Sequence, residues 1–382
     1  MIRALALLTL LAAGPVAAAG GKPVEAAAAA LPDDGPDDGP AGRKPHFLYV
    51  ANQSAASVSV IDMQTDVVVW TIDLTALGFS EDARPHHVAV EPDGSFLYVS
   101  LIGDGFVIKL TPEGELRGQA EFETPGMLAL DPHSARLWVS RSMMAVSPPQ
   151  RIGVINRDRM TIEEVGVFFD RPHALALSND GRLVFVGSLA ENRFAVLAPD
   201  EEGIGLKAVE GPTHVLVQFA VSPDGRWLAV GGEVSGKLLA FDLAYPRNPR
   251  LVASIDVAPM PWHPIFSPDG GRLYFGNQGA NVVTVVRTSD WTVEKVIASP
   301  ELAQPHGIAL SPDGSRLYVG NRNLKGPATG GMDHAAMGHD AGAADDGWTG
   351  RVVVIDTGTL EVVRTIDVGR YASGMGTATP VR

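Results

Sequence analysis

Short apolar runs recur along the chain in pairs, and each pair is joined by a turn of the same kind. They read "RPHHVAVEPDGSFLYVS" from Arg84, "TPGMLALDPHSARLWVS" from Thr124 and "RPHALALSNDGRLVFVGS" from Arg171. Three more follow: "VQFAVSPDGRWLAVGG" from Val217, "MPWHPIFSPDGGRLYFGN" from Met260 and "QPHGIALSPDGSRLYVGN" from Gln304. In each, two strands flank a Pro-Asp-Gly type turn. Pro presets φ at the first corner, Asp hydrogen-bonds the local backbone and Gly takes the left-handed position. A third strand such as "SVSVID" or "RVVVID" follows, then a fourth such as "VVVWTIDL" or "VVRTIDVG".

Equivalent positions fall at 86, 126, 173, 217, 262 and 306, so the spacings are 40, 47, 44, 45 and 44. Four antiparallel strands at this period are the signature of a propeller blade. The repeat begins out of phase, because "HFLYVANQSAASVSVIDMQTDVVVWTIDL" (His46 to Leu74) supplies only strands two to four. The missing first strand is "ASGMGTATP" (Ala372 to Pro380), which matches "QPHGIALSP" in its Gly and Pro placement. The sequence therefore predicts an all-β, seven-bladed β-propeller over 46–380, with four antiparallel strands per blade and a ring closed by the C-terminal strand. The segments "FLYVANQSAASVSVID", "SPDGSRLYVGN" and "VVVIDTGTLEVVRTIDVG" resemble the YVTN-type β-propeller repeat family. That resemblance speaks for the fold, since propellers host many chemistries.

The ends and the composition add an address. Arg3, the apolar run "ALALLTLLAA" and Ala17-Ala18-Ala19 predict a signal peptide over 1–19, and hence a periplasmic or secreted protein. Residues 20–45 read as a flexible acidic leader. No apolar run is long enough to span a bilayer as a helix. The formal charge of −14 argues against a nucleic-acid partner. Cys is absent, which excludes disulfides and thiolate metal sites.

The first strand of a propeller blade is innermost, so residues at its start line one mouth of the channel. Counting back seven and six positions from the turn Asp gives His86-His87, Gly126-Met127, His173-Ala174, Val217-Gln218, Trp262-His263, His306-Gly307 and Gly374-Met375. Five of the ten histidines fall in these two registers. His133 belongs to the opposite face. His214 lies on an incoming loop within reach of the mouth. Crowded imidazoles repel one another when charged, and imidazole with thioether suits copper. The expectation is therefore a metal site of His86, His87, His173, His263 and His306 with Met127 and Met375. A Met/His-rich loop inserted in blade seven, 324–349, carries Met332, His334, Met337 and His339 on the same face. It resembles the Met/His-rich segments of periplasmic copper proteins and reads as a capture loop.

The His86-His87 pair, with further His from other blades, resembles the propeller domain of nitrous oxide reductase. That resemblance implies copper as cofactor and those histidines as its ligands. The resulting expectation is an exported copper-binding propeller, a binding protein in the first place, with a copper ion and a periplasmic protein as partners. Two alternatives stand beside it: a haem-d1-type propeller similar to the cofactor domain of cytochrome cd1 nitrite reductase, and a non-catalytic interaction module. Hydrolase chemistry ranks last, because no Ser sits at a nucleophile elbow.

Overall fold

The computed structural model describes residues 46–201, 203–323 and 349–378. The expected signal peptide and leader lie outside these residues. So do Met332, His334, Met337 and His339 of the inserted segment.

The described residues contain no helix and form seven sheets of four antiparallel strands, the blades of a propeller. The turns that define the repeat form for the reasons read from the sequence. Gly94, Gly181, Gly225, Gly270 and Gly314 take φ between 69° and 74°. The turn carboxylates accept from the serine two residues earlier, as in Ser267 Oγ to Asp269 Oδ1 at 2.5 Å and Ser311 Oγ to Asp313 Oδ1 at 2.6 Å. Those serine contacts hold the Asp269 and Asp313 carboxyls below their ordinary pKa.

Closure follows the split repeat. Ala372–Thr377 is the innermost strand of blade 1 and pairs antiparallel with Phe47–Asn52, with Val50 opposite Met375. It brings the two ends of the propeller chain into one sheet, so the inner edge of Phe47–Asn52 is paired as in the other blades. Apolar side chains fill the spaces between neighbouring blades. Leu48, Val50 and Met375 of blade 1, for example, pack with Tyr318, Val352 and Val354 of blade 7. The outermost strands alternate between exposed and half-buried residues, as in Val67–Asp73, because only one of their faces meets another blade.

One irregularity repeats seven times, and it builds the channel mouth. The residue before each innermost strand has a left-handed φ: Arg84 50°, Thr124 46°, Arg171 53°, Val215 56°, Met260 57°, Gln304 57° and Tyr371 59°. None is glycine, so each carries strain of order 1 kcal/mol or more. The pairing register between innermost and second strand then shifts in every blade. Such bulges re-aim side chains. The carbonyl of each left-handed residue accepts from the residue just past the second strand: Ile102, Ser142, Leu189, Glu233, Gln278, Arg322 and Gln53, at 2.8 to 3.2 Å. Each blade thus pins two residues at the mouth, one entering the first strand and one leaving the second.

Candidate functional site at the channel mouth

The strand-entry register brings five imidazoles together. Ring centroids lie 6.4 Å apart for His86 and His173, 5.7 Å for His86 and His306, 4.9 Å for His263 and His306, and 6.4 Å for His87 and His263. The Trp262 ring packs on His306 at 4.7 Å. Burial drives the pKa of His87 and of His173 down to about 4. It drives His86, His263 and His306 well below the ordinary value, with neighbouring imidazoles adding to the effect. All five are therefore uncharged at neutral pH.

Hydrogen bonds fix several tautomers. His173 Nδ1 lies 2.7 Å from the Arg141 carbonyl, which only accepts, so Nδ1 carries the proton and Nε2 a lone pair. His87 Nδ1 faces the Leu128 N–H at 3.3 Å, so Nδ1 accepts and Nε2 carries the proton. His86 Nδ1 lies 3.4 Å from Gln53 Oε1. His86 Nε2, His263 Nε2 and His306 Nδ1 are buried with no partner in the protein.

The two methionines of the same register do not join the imidazoles. Met127 is fully buried between blades 3 and 4 against Trp138, Leu175 and Val186. Met375 packs between blades 1 and 7. The side chain following the bulge residue runs toward the adjoining blade. There His87 and Gln218 each receive a backbone N–H, from Leu128 and Leu175, whereas a methionine, with no comparable acceptor, fills apolar space. Gly307 and Gly374 occupy the register where strands approach most closely. A Cβ at Gly307 would fall 2.1 Å from the Ser373 carbonyl oxygen, and one at Gly374 2.3 Å from that of His86. His214 is held by Ser235 at 2.9 Å and the Glu210 carbonyl at 3.1 Å, and both ring nitrogens are used. His133 sits exposed in the turn between the first two strands of blade 3.

The strand-exit register supplies groups that the sequence reading missed. Glu233, Gln278, Arg322 and Gln53 occupy it in the consecutive blades 5, 6, 7 and 1. Burial raises the Glu233 carboxyl to a pKa of about 7, against the pull of Arg322, the Trp262 indole and Arg171. Arg322 is 7% exposed; its guanidinium stacks over the Tyr371 ring at 4.2 Å and donates from Nη1 to Gln278 Oε1 at 3.3 Å. The mouth therefore holds one carboxyl poised near neutrality, two guanidinium groups that act on it, and a bank of neutral imidazoles. Aligning the residues after "YVAN", "AVGG", "YFGN" and "YVGN" would have found it, since Gln, Glu, Gln and Arg stand there.

These observations define a seven-bladed propeller with a carboxyl–guanidinium–imidazole site at one mouth. No family model matches the chain. It is 22% identical over 290 residues to the 6-phosphogluconolactonase of Klebsiella pneumoniae, covering 69% of this chain and 84% of that protein. Among solved structures it resembles the periplasmic gluconolactonase of Pseudomonas aeruginosa, with a TM-score of 0.65, 18% identity, and 87% of this chain and 99% of that one covered. It also resembles Kuenenia stuttgartiensis hydrazine synthase, with a TM-score of 0.59, 19% identity, and 76% and 88% covered. At such identities the structural likeness carries the fold alone.

The expected copper-binding function is corrected here, together with its haem-d1 and non-catalytic alternatives. Among the described residues no three His, Asp or Glu side chains are placed to hold a metal ion together. Similar proteins carry the names of lactonases, which are enzymes. No helix among the described residues is long and apolar enough to cross a membrane.

Proposed function

We propose that the protein is an exported hydrolase of a sugar-acid lactone, with Glu233 as general base. The observation that carries this is the Glu233 carboxyl, which burial brings to a pKa of about 7 beside two guanidinium groups. A base works best when its pKa lies near the operating pH. The names of the similar proteins, 6-phosphogluconolactonase and gluconolactonase, support lactone opening as the reaction. Export is supported by the N-terminal signal pattern and by a neighbour named as periplasmic.

In the proposed reaction Glu233 accepts a proton from water while the water oxygen bonds to the lactone carbonyl carbon. The carbonyl oxygen gains negative charge, which nearby cationic donors stabilise. The carbon–ring-oxygen bond then breaks, and the proton held by Glu233 passes to the departing ring oxygen. Water is consumed and a hydroxy acid is formed, which ionises to its carboxylate. The neutral imidazoles offer lone pairs and N–H groups of fixed tautomer, a donor–acceptor mixture that suits hydroxyl groups.

The test is hydrolysis of glucono-1,5-lactone followed in a pH-stat, with the spontaneous rate subtracted. Wild-type kcat/KM is expected to rise as pH increases through about 7, where Glu233 loses its proton. Glu233→Gln should lower it by about 10²-fold or more. A variant as active as the wild type would remove Glu233 from the chemistry.

A further inference from the structure

The strand-exit residues share one backbone position, pinned seven times by the same hydrogen bond, yet only blade 7 places a cation there. Arg322 is buried, and among the described residues it forms no ion pair. A buried cation with no carboxylate at ion-pair distance is costly, and the cost is relieved when an anion arrives.

The surroundings of Arg322 are built rather than incidental. The Tyr371 ring lies beneath its guanidinium plane, and Gln278 Oε1 accepts from Nη1. That bond leaves Arg322 Nε and Gln278 Nε2 buried with no partner, and both atoms are donors only. Gln278 is 1% exposed, so bulk water does not meet this need. The next ring against Tyr371 is His306, at 6.4 Å, whose Nδ1 is also without a partner.

Two planar groups joined by one hydrogen bond, each with an unmet N–H, offer two donors to the two oxygens of a carboxylate. The nearby Glu233 carboxyl disfavours a dianion more than a monoanion, which weighs against phosphate. Ring opening of a lactone creates such a monoanion, and it passes through a state in which the same oxygen carries growing negative charge.

We propose that Arg322 and Gln278 form a preassembled carboxylate clamp, with Tyr371 as a positioning residue beneath the guanidinium. The clamp receives the lactone carbonyl oxygen and then retains the carboxylate of the product. Its assignment to the reacting oxygen rests on the lactone-opening function proposed above. The product hydroxy acid is consequently an inhibitor.

Calorimetric titration of the full chain at pH 8, where Glu233 is ionised and phosphate is mostly a dianion, with sodium gluconate, inorganic phosphate and sorbitol tests the clamp. Gluconate should bind about tenfold or more tightly than either of the others. Arg322→Gln should weaken gluconate by about tenfold or more, the loss of one charged hydrogen-bonding group. Gln278→Met, which keeps the volume, supplies the same test should Arg322→Gln not fold. Tyr371→Phe should bind as the wild type does, whereas Tyr371→Leu should weaken gluconate about threefold and raise KM for gluconolactone more than it lowers kcat. Unchanged gluconate binding in folded Arg322→Gln or Gln278→Met overturns the clamp, as does a wild type that fails to bind gluconate. Phosphate bound as tightly as gluconate overturns the assignment to a carboxylate. Gluconate bound through Arg322 without any lactone hydrolysis upholds the clamp and refutes the proposed function. Hydrolysis with gluconate binding indifferent to Arg322 does the reverse.

Discussion

The mouth divides into two arcs. On blades 5, 6, 7 and 1 the residue leaving the second strand is Glu233, Gln278, Arg322 and Gln53; on blades 2, 3 and 4 it is Ile102, Ser142 and Leu189. The backbone is the same in both arcs, down to the left-handed residue that accepts the exit N–H. The chemistry is not. Leu189 packs into an apolar cluster with Met143, Val217, Met260 and Trp262, while the polar arc holds a half-buried carboxyl and a buried guanidinium. The repeat thus supplies positions, and function is written in the side chains that depart from the repeat.

Breaking the shared frame should have the largest effect. Deleting residues 372–382 removes the innermost strand of blade 1 and exposes the inner edge of Phe47–Asn52. Both arcs should be lost together, seen as the disappearance of a cooperative thermal transition in circular dichroism. Survival of either activity or cooperative melting would mean that closure does not hold the mouth together.

Substitutions within single arcs should then separate. Leu189→Ala, at a 3% exposed position, should cost about 2–5 kcal/mol of unfolding free energy and leave kcat/KM for gluconolactone within about threefold. Arg322→Gln should do the opposite, with a large loss of catalytic efficiency and a small change in melting. If the two variants lose activity equally, the arcs are not functionally distinct.

Acid sharpens the comparison further, because the five clustered imidazoles belong to the mouth and not to the far face. His173 titrates near 4 in the folded chain and near its ordinary 6.5 when unfolded. The unfolded state therefore binds more protons between these values, and stability falls as pH drops from about 6.5 to 4. This one residue contributes about 3 kcal/mol to that loss. His173→Asn should flatten the chemical-denaturation profile over that window. The smallest effect is expected at the far turns. Asp269→Ala should cost about 1 kcal/mol by urea denaturation and leave activity unchanged, since the carboxylate bonds Ser267 and Gly271 within the turn.

The fold was legible in the sequence because it is repeated. Period, turn chemistry and the split first blade each point to seven blades, and the ring is built that way. The site was legible only in part. The five histidines share a register that can be counted from the turn Asp, and the structure brings their rings together. Met127 and Met375 share that register too, but apolar space between blades holds them better than the mouth does. The strand-exit residues Gln53, Ile102, Ser142, Leu189, Glu233, Gln278 and Arg322 have no common chemistry, so they stand out only when the residues that follow each second strand are aligned with one another. Reading imidazoles with methionines led toward metal; the half-buried carboxyl and the buried guanidinium lead toward hydrolysis.

The central claim is that the polar arc holds one carboxyl poised near neutrality. Carbon-13 NMR of protein labelled at glutamate carboxyls, titrated from pH 4.5 to 9, tests it directly. One resonance should titrate near 7, and it should be missing from Glu233→Gln. A Glu233 resonance that titrates between about 4 and 5, with the other surface glutamates, would contradict the account.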